Sequence, residues 1–202
     1  MWSLPADSTA DAARAGRLYA FLGSGPTGGI SAFDSKGVQG CSGSPKVCQP
    51  LWTTPTGTGF QAVDDTHLFG RNIDDGLVDA FALDGTGCSG SPRVCQPQWS
   101  NAPGVSGSAG AYVSSVAGGL LYTSSDICDD ASCTTRTWYV DAHDAAGSVG
   151  CSGAPKVCHS LFAKAIGFRP SNIMIVGDVV YVVGDSSTIN QPNPAIYGFR
   201  TS

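Results

Sequence analysis

Residues 40–50 read GCSGSPKVCQP, residues 87–97 read GCSGSPRVCQP, and residues 150–160 read GCSGAPKVCHS. Three near-copies of one text within 202 residues are an internal repeat, and the repeat decides the fold. Each copy is preceded by a strand-like stretch: ISAFD at 30–34, VDAF at 78–81, VDAHD at 140–144. Each is followed by an aromatic: Trp52, Trp99 and Phe162. Further upstream lie LYAF at 18–21, LFG at 68–70, LYT at 121–123 and VYV at 180–182. The text IYGF at 196–199 then matches ISAF at 30–33. The chain therefore holds four copies of an outer pattern, at the spacing of roughly 40–50 residues expected for four-stranded propeller blades.

The expected fold is all-β, a β-propeller of four-stranded blades with about four blades in this chain. The whole of 1–202 is read as one propeller or partial-propeller domain. Its blade-like units run about 6–54, 55–102, 103–164, and 165–202 plus 1–5. The longest insertion lies in the third unit, around Cys128 to Cys133. Loop closure costs little per added residue, so a repeat fold tolerates it.

Composition agrees with strands and turns. Glycine (27) and proline (12) are plentiful and charged residues make up only 13%. A formal net charge of -5 gives a mildly acidic surface that repels phosphate backbones, which argues against nucleic-acid binding. No membrane span is expected, because the most apolar stretch, 173–183, is short and broken by Gly177 and Asp178.

The two ends match each other in repeat phase. Trp2-Ser3-Leu4-Pro5 corresponds to Trp52-Thr53-Thr54-Pro55, and to Trp99 through Pro103 with one extra residue. The N-terminal strand is thus placed to complete the blade that the C-terminus begins, which would remove open sheet edges. Two arrangements fit this phase. One is a closed four-bladed ring. The other is part of a seven- or eight-bladed ring, completed by further blades or by a second copy in a homodimer. The start, Met1-Trp2-Ser3-Leu4-Pro5-Ala6-Asp7, lacks the basic and apolar regions of a signal peptide, so a leader would have been removed or the chain would be a piece of something longer.

Eight cysteines fall into four close pairs: Cys41 and Cys48, Cys88 and Cys95, Cys128 and Cys133, Cys151 and Cys158. Across a Gly-Pro hairpin tip, two cysteines seven apart can meet as a disulfide, each worth roughly 2–3 kcal/mol on the loop-entropy view. The alternatives are zinc and free thiols. Zinc knuckles prefer two to four intervening residues and a second pair close by, and the six found here fit poorly. Paired cysteines place the chain in an oxidising compartment: extracellular, cell-surface or periplasmic.

The blade text resembles the PQQ-like, or quinoprotein-like, propeller repeat: a strand ending Ala-x-Asp, a Gly turn, then Trp. Here residues 32–37 (AFDSKG) lead to Trp52, residues 80–87 to Trp99, and residues 142–147 (AHDAAG) to Phe162. The resemblance spans nearly the whole chain. It implies that Trp2, Trp52 and Trp99 dock between neighbouring blades, with Phe162 a conservative replacement. The cysteine loop inserted between turn and Trp is similar to the variant repeat of exported actinobacterial members. Family members that hold the quinone use a larger ring, an adjacent-cysteine disulfide, a stacking Trp and calcium. This chain has no Cys-Cys dipeptide and its tryptophans are absorbed by the repeat.

The remaining chemistry is sparse. His143 stands where Phe33 and Phe81 stand, His159 where Gln49 and Gln96 stand, and His67 precedes a strand; all three read as tolerated substitutions. Asp64-Asp65, Asp74-Asp75 and Asp126 with Asp129-Asp130 lack the one-three-five spacing of a calcium loop and read as solvated turns. No nucleophile elbow, phosphate loop or zinc-protease run occurs. The expected function is therefore a non-catalytic scaffold with no cofactor, presenting disulfide-pinned loops to a protein or glycan. The alternative is a fragment of a larger PQQ-dependent dehydrogenase or other propeller enzyme.

Overall fold

A computed structural model describes residues 1–24, 27–102, 112, 114–184 and 196–200. Pro103, where the third sequence unit begins, and residues 201–202, which end the fourth, lie outside the described residues. The described residues form strands and turns with no α-helix. Contacts divide the chain into two compact units: Met1–Asp75 with Asp79–Gln98, and Gly76–Val78 with Trp99–Ser202.

In the first unit, the short strand β1 (Trp2–Ser3) precedes repeat one. That repeat comprises β2 (Ser8–Arg14), β3 (Arg17–Leu22) and β4 (Gly29–Asp34), then a hairpin of β5 (Cys41–Ser42) and β6 (Lys46–Cys48), then β7 (Trp52–Thr53). Repeat two has the same order: β8 (Thr58–Val63), β9 (His67–Asn72), β10 (Val78–Ala82), the hairpin β11 (Cys88–Ser89) and β12 (Val94–Cys95), then β13 (Trp99–Asn101), which belongs to the second unit. In the second unit, repeat three supplies β14 (Ser114–Ala117), β15 (Leu120–Cys128), β16 (Arg136–Asp144), the hairpin β17 (Cys151–Ser152) and β18 (Val157–Cys158), and β19 (Phe162–Ile166). Repeat four supplies β20 (Pro170–Val176), β21 (Val179–Gly184) and β22 (Ile196–Arg200).

Strands within a repeat pair antiparallel in sequence order. Repeat one runs β2-β3-β4-β7, with Ala32 opposite Trp52. Repeat three runs β14-β15-β16-β19, with Ala142 opposite Phe162. The central strand β4 is mostly apolar and buried on both faces, while the edge strand β2 is mostly exposed. First strands of repeats one, two and four each carry a register shift, at 10–12, 60–62 and 170–172. Such bulges twist an edge away from further pairing.

The cysteine hairpins do something the repeat text does not announce. Each pairs in parallel with the Trp strand of the repeat before it. β6 pairs with β1 (Trp2 opposite Lys46), β12 with β7 (Thr53 opposite Val94), and β18 with β13 (Ser100 opposite Val157). Repeat one's four strands thereby gain two more and become a six-stranded sheet.

The cores are layered between these strands. Tyr19, Ile30, Ala32 and Trp52 pack with Leu68, Phe81, Leu83 and Cys95, so side chains of repeats one and two interleave within the first unit. In the second unit Tyr122, Trp138, Val140, Ile166, Ile173, Val180 and Val182 form one cluster.

Candidate functional site

All eight cysteines are bonded in the four expected pairs: Cys41–Cys48, Cys88–Cys95, Cys128–Cys133 and Cys151–Cys158. In the three hairpins the partners stand directly across the antiparallel ladder, with Cα atoms 3.9, 3.7 and 3.9 Å apart. The second cysteine of each is fully buried. The tips between them (Ser42-Gly43-Ser44-Pro45, Ser89-Gly90-Ser91-Pro92, Ser152-Gly153-Ala154-Pro155) are exposed. They share one backbone form, with φ of 89°, 86° and 87° at the glycine and a cis bond before the proline.

Trp52 and Trp99 are buried, each 2% exposed, whereas Trp2 is half-buried. Each indole lies against a glycine in the turn of the following repeat: Trp2 on Gly37, Trp52 on Gly85, Trp99 on Gly147. These glycines have φ of 64°, 80° and 66°, and a Cβ on any of them would press into the indole. The basic residue of the cysteine loop closes the same junction. Lys46 Nζ, Arg93 Nη2 and Lys156 Nζ donate to the carbonyls of Gly37, Gly85 and Gly147 at 3.5, 2.9 and 3.1 Å. Phe162 packs edge-on against Tyr122 and Phe199.

Asp34 and Asp144, at the ends of β4 and β16, cap these turns. Asp34 accepts from the amides of Lys36, Val38 and Gln39, and Asp144 from those of Ala146, Ser148 and Val149. The amide bonds from Gln39, Lys36 and Val38 hold the Asp34 carboxyl below the usual range. The third insertion is organised in the same way. Asp130 accepts from the amides of Ser132, Thr134 and Thr135 and from their hydroxyls, which depress its carboxyl strongly. Asp129 takes the Thr137 hydroxyl, and buried Asp126 pairs with Arg136. Asp129 and Asp130 are thus committed to their own loop, whereas Asp126, expected in a solvated turn, lies buried in β15. Among the described residues, no group of three or more His, Cys, Asp or Glu is placed to hold a metal.

His143 is fully buried. Its Nδ1–H donates to the Cys158 carbonyl at 3.2 Å, and Nε2 accepts from the Thr123 hydroxyl (3.3 Å) and the Asn101 amide (3.5 Å). Burial lowers its pKa to about 4, so the ring is neutral at pH 7. Asp141 bonds Ser125 at 2.5 Å. These buried bonds pin neighbouring strands together.

An open cleft of about 470 Å³ lies in the first unit, lined by Ala15, Arg17, Asp65, Thr66, His67, Ala82, Leu83, Asp84, Thr86 and Gln98. Its origin is a set of departures from the repeat. Matching backbone bonds (Leu51 N–H to Ala32, Gln98 N–H to Ala80, Leu161 N–H to Ala142) align Gln98 with two leucines and Ala82 with the capping Asp34 and Asp144. Repeat two thus lacks the cap at that place, and its loop to the cysteine is one residue shorter. Asp84 takes over in part, accepting from the Thr86 amide at 2.8 Å. The β8–β9 turn is built by Asp64, whose carboxylate accepts from the amides of Thr66 and His67, where repeats one and three turn on glycine. His67 Nε2–H donates to Gln98 Oε1 at 2.8 Å, and its Nδ1 bonds Thr66 Oγ1 at 2.9 Å. The sequence reading passed over Gln98, and the available signal was its standing where repeats one and three have leucine.

No family model matches the chain, and no curated protein is significantly similar to it. Among the described residues, no helix is long and apolar enough to cross a membrane.

Proposed function

We propose that this chain is a non-catalytic, extracytoplasmic β-propeller of PQQ-like repeats. Its disulfide-pinned loops engage a protein or glycan partner. The observation that carries the reading is the triplication of one exposed tip. Three loops of nearly identical sequence share one backbone form, and each is held at its base by a disulfide and a Lys or Arg bond to a glycine carbonyl. A rigid loop loses little freedom on binding, and repeated tips add avidity. Four disulfides are consistent with an oxidising compartment.

The ring of this proposal closes through β1. In repeats one and three the aromatic strand lies opposite Ala32 and Ala142, and Gly198 holds the matching place in the repeat text, which supports β1 as the strand that completes the last blade. A monomer closes four blades, and two chains close eight. Native mass spectrometry distinguishes the two. Deletion of residues 1–5 should raise amide exchange across 196–200, and unchanged exchange would remove the closure.

Loop binding is tested on glycan and extracellular-protein arrays with oxidised and reduced protein. Binding should survive chelators and weaken when the hairpin disulfides open. Equal binding by the reduced form, or dye-linked dehydrogenase activity with added quinone and calcium, would count against a loop-presenting scaffold.

A further inference from the structure

We propose that the cleft of repeat two is a second binding site, for a neutral sugar unit, distinct from the hairpin tips. Its cavity of about 470 Å³ falls within the range of small-molecule sites. The departures that create it converge on it. Gln98 and His67 occupy positions that are Leu51 and Arg17 in repeat one and Leu161 and Leu120 in repeat three, and the two contact each other across 31 residues of sequence. Leu161, which holds the Gln98 place in repeat three, is 44% exposed, so a leucine there covers little, and repeat two has a polar pair on that open face. The pair orients Gln98. Its Oε1 is taken by His67, which leaves the Nε2 hydrogens as donors to a ligand.

The ligand class follows from the charge and hydrogen-bond inventory. Asp65 is paired with Arg14 at 2.8 Å, and Arg17 stands opposite Asp34 on the neighbouring strand. The lining carries one cation, Arg17, and two carboxylates, Asp65 and Asp84, so it offers no surplus of positive charge for a phosphate. The lining is a mixture: amide donors on Gln98, the Thr66 and Thr86 side chains bonded to Asp64 and Asp84, a carboxylate acceptor on Asp84, and an apolar floor of Ala82 and Leu83. Every hydroxyl of a sugar is both donor and acceptor, and its C–H face needs an apolar rest. That alternation fits a saccharide better than a group with a single sign or a single hydrogen-bonding sense.

The test uses the full oxidised chain and observes the Gln98 side-chain amide and the His67 ring by NMR. Maltose, cellobiose and N,N′-diacetylchitobiose are titrated into the millimolar range, with inorganic phosphate and lysine methyl ester as charged controls. At least one disaccharide should shift both signals. Gln98→Leu, which installs the residue of repeats one and three, should weaken that binding about tenfold, as expected for loss of one good hydrogen-bonding group. Thr86→Val, on the exposed loop, gives a second reading that does not depend on how Gln98→Leu folds. The site is overturned if no disaccharide shifts either signal, or if both variants bind as tightly as the parent. It is overturned as a sugar site if only phosphate or the lysine ester shifts the amide. Reduction of the hairpin disulfides is not part of this test, so its failure leaves the tip reading standing, and the reverse also holds.

Discussion

Arg93 Nη2 donates to the carbonyl of Gly85 at 2.9 Å, in the turn against which Trp52 of the preceding repeat is packed. One bond thus ties together a cysteine hairpin, the turn before it and the Trp strand of the preceding repeat. Lys46 and Lys156 make the same bond to Gly37 and Gly147. Arg93→Lys should therefore be tolerated, while Arg93→Ala should cost about 1 kcal/mol, the usual net worth of such a bond. Urea unfolding midpoints decide it, and equal loss in both variants would show that the fork geometry, not the bond, matters.

The glycine partner sets a sharper contrast. Gly147 and Gly118 both have positive φ, of 66° and 59°. A Cβ on Gly118 meets nothing within 4 Å, whereas one on Gly147 would overlap the Trp99 indole. Gly118→Ala should cost about 1 kcal/mol from backbone strain alone. Gly147→Ala should cost roughly 2–4 kcal/mol, since overpacking adds to the strain. Calorimetric unfolding of the two variants measures the difference, and indistinguishable melting points would refute the docking role of the turn.

Much of this architecture could be read from the chain because its signals are local and repeated. The Cys-x6-Cys pairs recur and lie in hairpins, Asp34 and Asp144 cap their turns, and Trp52 lies in a core shared by repeats one and two. What could not be read is long-range or too short to have a period. The parallel pairing of β12 with β7 joins two-residue strands some forty residues apart, and no alternation exists over two residues. The bond from the loop's Lys or Arg could not be read, because its carbonyl partner carries no side-chain signature. His67 looked like a substitution and Gln98 carried no reading at all, and only the fold makes them one pair.

The hairpin disulfides close loops of about eight residues, so removing one should cost roughly 2–3 kcal/mol. Double substitution of Cys88 and Cys95 by alanine should exceed the loss from substituting Cys128 and Cys133, because Cys95 is buried in the core shared by repeats one and two, while Cys128 and Cys133 sit on an insertion. Denaturant titration of the two double variants gives the ranking directly. A thiol assay on the unreduced parent should read zero, and a reversed ranking would mean that the third insertion does more for the fold than its exposure implies.

His143 links the fold to pH, and the direction follows from its neutral, buried ring. Its pKa is about 4 when folded and about 6.5 when the chain is unfolded. Above pH 7 neither state binds the proton and stability is flat in this group. Between pH 6.5 and 4 the unfolded chain takes up a proton that the folded chain refuses, so stability falls, by about 2 kcal/mol at pH 4.5. The depressed carboxyls of Asp34 and Asp144 act in the same direction but lower down, losing their contribution only as pH drops below about 4. His143→Phe restores the residue type of positions 33 and 81 and leaves His67 and His159 in place. Unfolding free energies of parent and variant at pH 7 and 4.5 should show the slope in the parent and its loss in the variant. A slope that persists in His143→Phe would place the titrating group elsewhere, and the Thr123–His143–Asn101 contact would then be a packing detail without a proton of its own.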